Sequence, residues 1–390
     1  MKNKFLIVAF FTSLAFVTAQ QRVITTGVPF LLVAGDARSA GMADNGVATA
    51  PDAYSQQWNP AKYAFSSDQQ GFSVGYTPYL VELVNDISLS QITYFNRFNE
   101  RSAFAGSIRY FSLGEIELRE TLDDQAVVVK PAEYALDLSY ALKLSDYFSM
   151  SVGGRFIRSN LRIPTAGANA SAANSFAFDV SGFHQSEEMA FNGFNGKLRW
   201  GFNFQNLGPK INYDKSVGEE GSNFLPANMK LGAGFDFILD DYNKVSVAVE
   251  ANKLLVPTPI EPTDTDGSGT IEAAEANEAV IKYNKIGWTE GIFKSFNDAP
   301  GGFSEELDEV NYSIGAEYLY QDSFAFRLGY FYENPEKGAR RFYTIGAGFK
   351  YNIVKVDVSY LFSASQVKNP LENTLRFSLS FAFGDKYDEF

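Results

Sequence analysis

The chain has 390 residues, a formal net charge of −13, a single histidine and no cysteine. Disulfides, thiolate nucleophiles and thiolate metal sites are excluded, and the acidic balance argues against nucleic acid as a partner. Its 36 Phe and 21 Tyr are unusual for an acidic soluble enzyme and ordinary for a protein with an aromatic-rich outer surface.

Residues 1–19 read as an export signal. Lys2 and Lys4 supply the positive start, Phe5 to Val17 is an apolar run, and Val17-Thr18-Ala19 before Gln20 fits a small-residue cleavage site. The run is too short for a membrane helix, which needs about 20 residues. No cysteine follows, so a lipoprotein start is excluded.

Residues 20–70 do not alternate over long stretches. They are too few for a separate domain with a sizeable core, and they are expected to plug a barrel lumen from the periplasmic side. From residue 71 to 390 the sequence becomes a series of long alternating segments. Strands are predicted near 71–80, 88–98, 101–112, 133–143, 146–158, 173–184, 193–207, 226–239, 242–254, 309–321, 323–333, 340–351, 353–363 and 373–384. Most are longer than the usual strand of about 5–6 residues and match the ~9–11 needed for a tilted strand to cross a bilayer. On the last, Leu375, Phe377, Leu379, Phe381 and Phe383 share one face, while Arg376, Ser378, Ser380 and Ala382 share the other. In lipid every backbone polar group must be paired, so such strands must close into a barrel. The apolar face then meets outer-membrane lipid and the polar face the lumen.

The connections support this. Asn99-Glu100, Leu144-Ser145, Asp240-Asp241, Asp322 and Asn352 mark tight turns; 113–132, 159–172, 208–225 and 255–308 are long, and 185–192 is a mild exception. Short periplasmic turns alternating with long extracellular loops are the habit of outer-membrane barrels. An even strand number puts both termini in the periplasm. The prediction is an all-β, fourteen-stranded antiparallel transmembrane β-barrel with an N-terminal hatch.

The long extracellular loop at 255–308 carries two candidate sites. Asp264, Asp266, Ser268, the Thr270 carbonyl and Glu275 fall at positions 1, 3, 5, 7 and 12 of an EF-hand calcium loop, with Gly267 at position 6. Glu272 is expected to act directly or through water. A solvated acidic loop has a similar composition, but the full register favours one Ca²⁺. Prolines in the preceding "VPTPIEP" rule out an entering helix, whereas "EAAEANEAVIKY" fits an exiting one. Further on stand Trp288, Ile292, Phe293, Phe296 and Phe303, too many apolar side chains for an isolated exposed loop. They are either a partner site or a cover folded over the barrel mouth.

Within the N-terminal segment, Gly35, Arg38, Gly41, Asp52 and Asn59-Pro60-Ala61 resemble the hatch of FadL-type outer-membrane proteins, which are fourteen-stranded barrels. The fuller run from Val28 to Tyr63 resembles, more narrowly, the PorV family, the FadL-like component of the Bacteroidetes type IX secretion system. The resemblance implies a protein that accompanies a large translocon barrel. It would bind exported cargo through a C-terminal signal domain and shuttle it to a surface attachment complex, with no reaction of its own. The alternative is a FadL-like channel for hydrophobic small molecules such as fatty acids. Fatty-acid transporters often have a glycine pair where this chain has Ala43-Asp44.

Enzymatic signals are weak. His184 has no thiol or second histidine to work with. Asp240-Asp241 and Glu219-Glu220 are paired carboxylates of the kind used in acid–base work, but both read as solvated turns or loops. The glycines of "GAGFDF" and "GAGFKY" read as small lumen-facing residues on strands.

Overall fold

The computed structural model describes residues 23–119, 125–161, 172–213, 221–365 and 369–387. The export signal predicted at 1–19 and the Glu219-Glu220 pair lie outside them.

Fourteen long strands make up the wall. They are β1 (Asp68–Pro78), β2 (Ile87–Arg97), β3 (Ser102–Leu113), β4 (Ala132–Ser145), β5 (Phe148–Asn160), β6 (Ala173–Gln185) and β7 (Phe194–Leu207). The circuit continues through β8 (Asn228–Ile238), β9 (Asn243–Leu254), β10 (Val310–Tyr320), β11 (Phe324–Tyr332), β12 (Arg341–Tyr351), β13 (Val354–Ser363) and β14 (Leu375–Lys386). Every predicted strand is present, with boundaries shifted by at most about three residues. Each strand pairs antiparallel with its sequence neighbours. β1 also pairs with β14, Phe72 facing Phe381 and Val74 facing Leu379. The sheet is therefore closed and leaves no unpaired edge to lipid.

The alternation has the predicted sense. On β14, Leu375 and Phe377 are exposed on the outer wall, whereas Arg376, Ser378 and Ser380 are buried toward the lumen. Tight turns join the strands at one end of the barrel. At the β10–β11 turn, Gln321 and Asp322 both have positive φ, the conformation that matches a two-residue turn to strand twist. At Asp240-Asp241, Asp240 accepts from the backbone N–H groups of Tyr242 and Asn243, both at 2.8 Å, so this pair is a turn device. The 185–192 connection carries a short strand, Met189–Phe191, that pairs with Phe194–Gly196 and lengthens the β6–β7 hairpin. No helix among the described residues is long and apolar enough to cross a membrane.

Residues 28–66 run inside the barrel as short elements: a 3₁₀ turn at Pro29–Leu32, α1 (Ala37–Ala40), α2 (Ser55–Trp58) and a 3₁₀ helix at Pro60–Phe65. Their entry differs from the expectation. The segment starts at the long-loop end, where Gly27 N–H donates to the Phe224 carbonyl at 2.8 Å. It reaches the short-turn end only at Ser66, whose carbonyl accepts from Arg97. The even strand number places the two ends of the barrel wall, Asp68 and Lys386, side by side. The expectation that both termini lie at the short-turn, periplasmic end is not met by residues 23–27, which are held at the opposite mouth.

The 255–308 connection is folded. It carries α3 (Ala273–Asn284), the predicted exiting helix, then α4 (Trp288–Lys294) and α5 (Phe303–Asp308).

Candidate functional site: the filled lumen and the outer loop

The residues that carry the hatch resemblance come together in the lumen. Arg38 is the hub. Its guanidinium donates to Asp52 at 2.7 Å, to Glu317 of β10 at 2.8 and 3.1 Å, and to the Ala50 carbonyl at 3.0 Å. Glu317 also accepts from Arg327 of β11 at 2.5 Å. Burial drives the Asp52 carboxyl up, but Lys62 and Arg38 beside it outweigh burial and hold it ionised. Asp36, fully buried, moves the other way: burial and the Asp52 charge push it toward its neutral form. Asp36 accepts from Ser39 N–H at 2.7 Å and from the Trp58 indole at 2.6 Å. Lys62 is also fully buried and donates to the Gly46 carbonyl at 2.8 Å; burial lowers it to about 8.

The other motif residues are set by close approach. A Cβ on Gly35 would lie 1.9 Å from Gln91 Oε1, and a Cβ on Gly75 of β1 would lie 1.8 Å from the Gly35 carbonyl oxygen. Gly41 meets Gly346 of β12 backbone to backbone, and its carbonyl accepts from the Thr344 hydroxyl at 3.0 Å. Asn59 caps the 3₁₀ helix begun by Pro60. It accepts from Ala61 N–H and donates to the carbonyls of Val47 and Gly182. The Ala61 carbonyl accepts from Ser149 of β5 at 2.7 Å. The glycines of "GAGFDF" and "GAGFKY" face the lumen: Gly232, Gly234 and Gly346 clear the path of the hatch at Ala48 and Gly41, and Gly348 makes room for the Arg327 and Asp357 side chains.

A second set of lumen partners was not singled out from sequence. Arg109 of β3 donates to the carbonyls of Phe30, Leu31 and Val33. Arg155 of β5 pairs with Asp137 of β4 and, at 2.9 Å, with Asp179 of β6. Arg199 of β7 pairs with Asp236 of β8. Charged residues at alternate positions on the polar faces of successive strands are the signal that could have found them. Buried charges require partners, and the hatch and its wall supply them around most of the barrel.

At the long-loop mouth, the connection after β9 is clasped to the rim. Lys253 donates to Glu306 at 2.9 Å and Glu309 at 2.7 Å; Lys337 donates to Glu305 at 2.6 Å and Glu309 at 3.0 Å. Asp298 accepts from Thr258 N–H at 3.0 Å. Burial raises Asp298 to about 6; the Thr258 bonds oppose this, and Glu306 and Glu309 add to it.

In the same loop, carboxylate oxygens of Asp264, Asp266 and Glu275 lie within 4.8 Å of one another. Asp264 accepts from Gly267, Ser268 and Gly269 N–H, and Gly267 has φ +74°. Those backbone bonds, first Gly269, hold Asp264 below the usual carboxylate range. Ser268 lies in the same turn, its hydroxyl 3.0 Å from the Thr270 carbonyl. Glu272 departs from the expectation: it is the N-cap of α3, in a capping box with Glu275. The donor set and turn fit an oxygen-liganded cation.

The apolar residues divide. Trp288 and Ile292 are half-buried, while Phe293, Phe296 and Phe303 are exposed, at 79%, 45% and 76%. Tyr283 packs on Phe224, and with Ile286 and Val256 they bind the loop to the neighbouring connection. His184 lies on the outer wall in an aromatic stack with Trp200, ring centroids 5.3 Å apart.

A closed fourteen-stranded barrel with its lumen filled by an N-terminal segment defines an outer-membrane protein of the FadL-like class. The Pseudomonas putida toluene transporter TodX has a similar fold, at 11% identity and a TM-score of 0.51 over 90% of this chain and 99% of that one. A Pseudomonas aeruginosa FadL homologue aligns over 94% of this chain and 100% of its own at 14% identity, with a TM-score of 0.46. The comparison with curated proteins yields no match. The family described as type IX secretion system protein PorV matches residues 16–261, well over half the chain. The chain belongs to that family, and is an outer-membrane component of type IX secretion.

Proposed function

We propose that this barrel binds exported cargo through its C-terminal signal domain at a large translocon barrel and carries it to a surface attachment complex, which completes the reaction. The observation that carries the reading is the filled lumen. Among the described residues, the buried Arg38–Asp52–Glu317 set and the backbone contacts at Gly35 and Gly41 occupy the lumen, which favours a role other than a protein conduit. Its contribution to export must then lie on its outside and its loops, as a companion to another conduit. Phe293, Phe296 and Phe303 are the proposed contact, since exposed apolar side chains at a rim favour a partner. One Ca²⁺ at Asp264, Asp266 and Glu275, with Ser268 and the Thr270 carbonyl, would order the loop that presents them.

The test uses a deletion strain complemented with the wild-type chain or with a Phe293→Ser, Phe296→Ser variant. Deletion is expected to leave cargo with type IX signal domains unattached while the translocon still assembles. The variant is expected to reach the membrane in normal amount and to co-purify less partner. Normal surface display of cargo in the deletion strain would overturn the reading, and a defect confined to hydrophobic small-molecule uptake would favour the channel alternative.

A further inference from the structure

The outer wall of β8 to β11 carries a groove near the long-loop end, with a volume of about 550 Å³. That size falls within the ~300–1,000 Å³ of small-molecule clefts. Its shape follows from register. One cross-strand row on the outer face reads Leu231, Ala251, Tyr312, Tyr332 and Arg341. The next row toward the membrane centre reads Ala233, Val249, Ile314, Tyr330 and Tyr343. Ala251 and Ala233 are short side chains among long ones, so the wall is scooped out over β8 and β9 and bounded by tyrosines.

Depth identifies the surroundings. Ala251 lies three residues from the long-loop end of β9 at Leu254, within ~10 Å of that end at about 3.3 Å per residue. The groove therefore lies in the outer half of the ~25 Å apolar band. Its lining is almost wholly apolar, with tyrosines, which favour membrane interfaces.

Arg341 supplies the charge. It is the first residue of β12, and the alternation that buries Phe342 and exposes Tyr343 puts it on the outer face. Its guanidinium lies over the Tyr332 ring, 5.0 Å from the centroid, and its Nε is buried with no hydrogen-bond partner. An arginine at this depth is tolerated when it reaches a polar group at the interface.

We infer that this groove is a binding site for one outer-leaflet lipid, its acyl chain lying over Ala251 and Ala233 and its anionic headgroup contacting Arg341. Hydrocarbon fills a dry concavity in a membrane wall, and the Arg341 guanidinium at the end of the outer row offers a positive charge to an anionic headgroup.

The test is native mass spectrometry of the full-length protein, purified in mild detergent and incubated in mixed micelles with phosphatidylglycerol or phosphatidylcholine. Wild type is expected to retain phosphatidylglycerol about tenfold more than phosphatidylcholine. Ala251→Phe, which fills the groove from the lipid side, is expected to lose retention of both. Arg341→Gln is expected to lose only the preference for the anionic lipid. Heat-modifiable mobility on a gel verifies that each variant is a closed barrel. Equal retention by wild type and Ala251→Phe overturns the inference. So does an Ala251→Phe protein that keeps its lipid and loses co-purifying protein, which would assign the groove to a partner barrel.

Discussion

Arg38 ties the hatch to the barrel wall from inside the lumen. Its guanidinium joins the hatch to itself through Asp52 and to the wall through Glu317, 279 residues away. Removing one partner of a buried ion pair costs about 3–5 kcal/mol. Glu317 keeps Arg327, so Arg38→Met should fall at the low end of that range. Its expected effect is release of the hatch: residues 28–66 become cleavable by added protease while the barrel stays heat-modifiable. Unchanged protection would mean that the other contacts, among them Arg109 to the Phe30, Leu31 and Val33 carbonyls and Ser149 to the Ala61 carbonyl, suffice to hold the segment. Ala43 and Asp44 make a related point. Both have positive φ, 58° and 60°, a conformation that costs a non-glycine residue about 1–2 kcal/mol. The backbone shape that a glycine pair would favour is thus retained without the glycines. Ala43 gains packing against Phe342, Leu361 and Leu371, and Asp44 accepts from Arg376 at 3.2 Å.

At the scale of elements, the 255–308 connection behaves as a folded cap. Two expectations follow from its carboxylates. Asp298 has its pKa raised to about 6 from 3.8, through burial beside Glu306 and Glu309. A raised acid pKa favours the neutral form in the folded loop, so its stabilising contribution is full below about pH 3.8 and is lost as pH rises through about 6. Protease half-life within this loop should therefore lengthen between pH 7 and pH 5, and Asp298→Asn should flatten that part of the profile. The calcium proposal belongs to the same element. Extracellular sites of this type bind at about 10⁻⁴–10⁻³ M, and a lone loop without an entering helix should be no tighter. Calorimetry should register one site in wild type and none in Asp264→Ala, Glu275→Ala. The same heat from both proteins, with the same loop proteolysis, would remove calcium from the account.

For the whole molecule, closure and filling are separate facts. Closure satisfies every wall hydrogen bond in lipid. Filling comes from a segment that precedes the wall in sequence and sits inside it. The intact protein in a planar bilayer should show no sustained ion-conducting steps, and a variant lacking residues 28–66 should show them. Steady porin-like conductance from the intact protein would refute a filled lumen.

By itself the sequence determined the number and position of the strands, the face each turns to lipid and the tight turns, because period-two alternation and turn length are local properties of the chain. It also marked the hatch residues, since Gly35, Arg38 and Asn59 stand in one short run. It could not say from which mouth the hatch enters, nor that Arg155 lies between Asp137 and Asp179, nor which phenylalanines of the outer loop stay exposed. The hatch entry depends on contacts between residues far apart in sequence, such as Gly27 and Phe224, the Arg155 set on the register of the neighbouring strands β4, β5 and β6, and the exposed phenylalanines on how the outer loop folds. The groove also comes from register: Leu231, Ala251, Tyr312, Tyr332 and Arg341 fall in one row only when β8 to β12 pair.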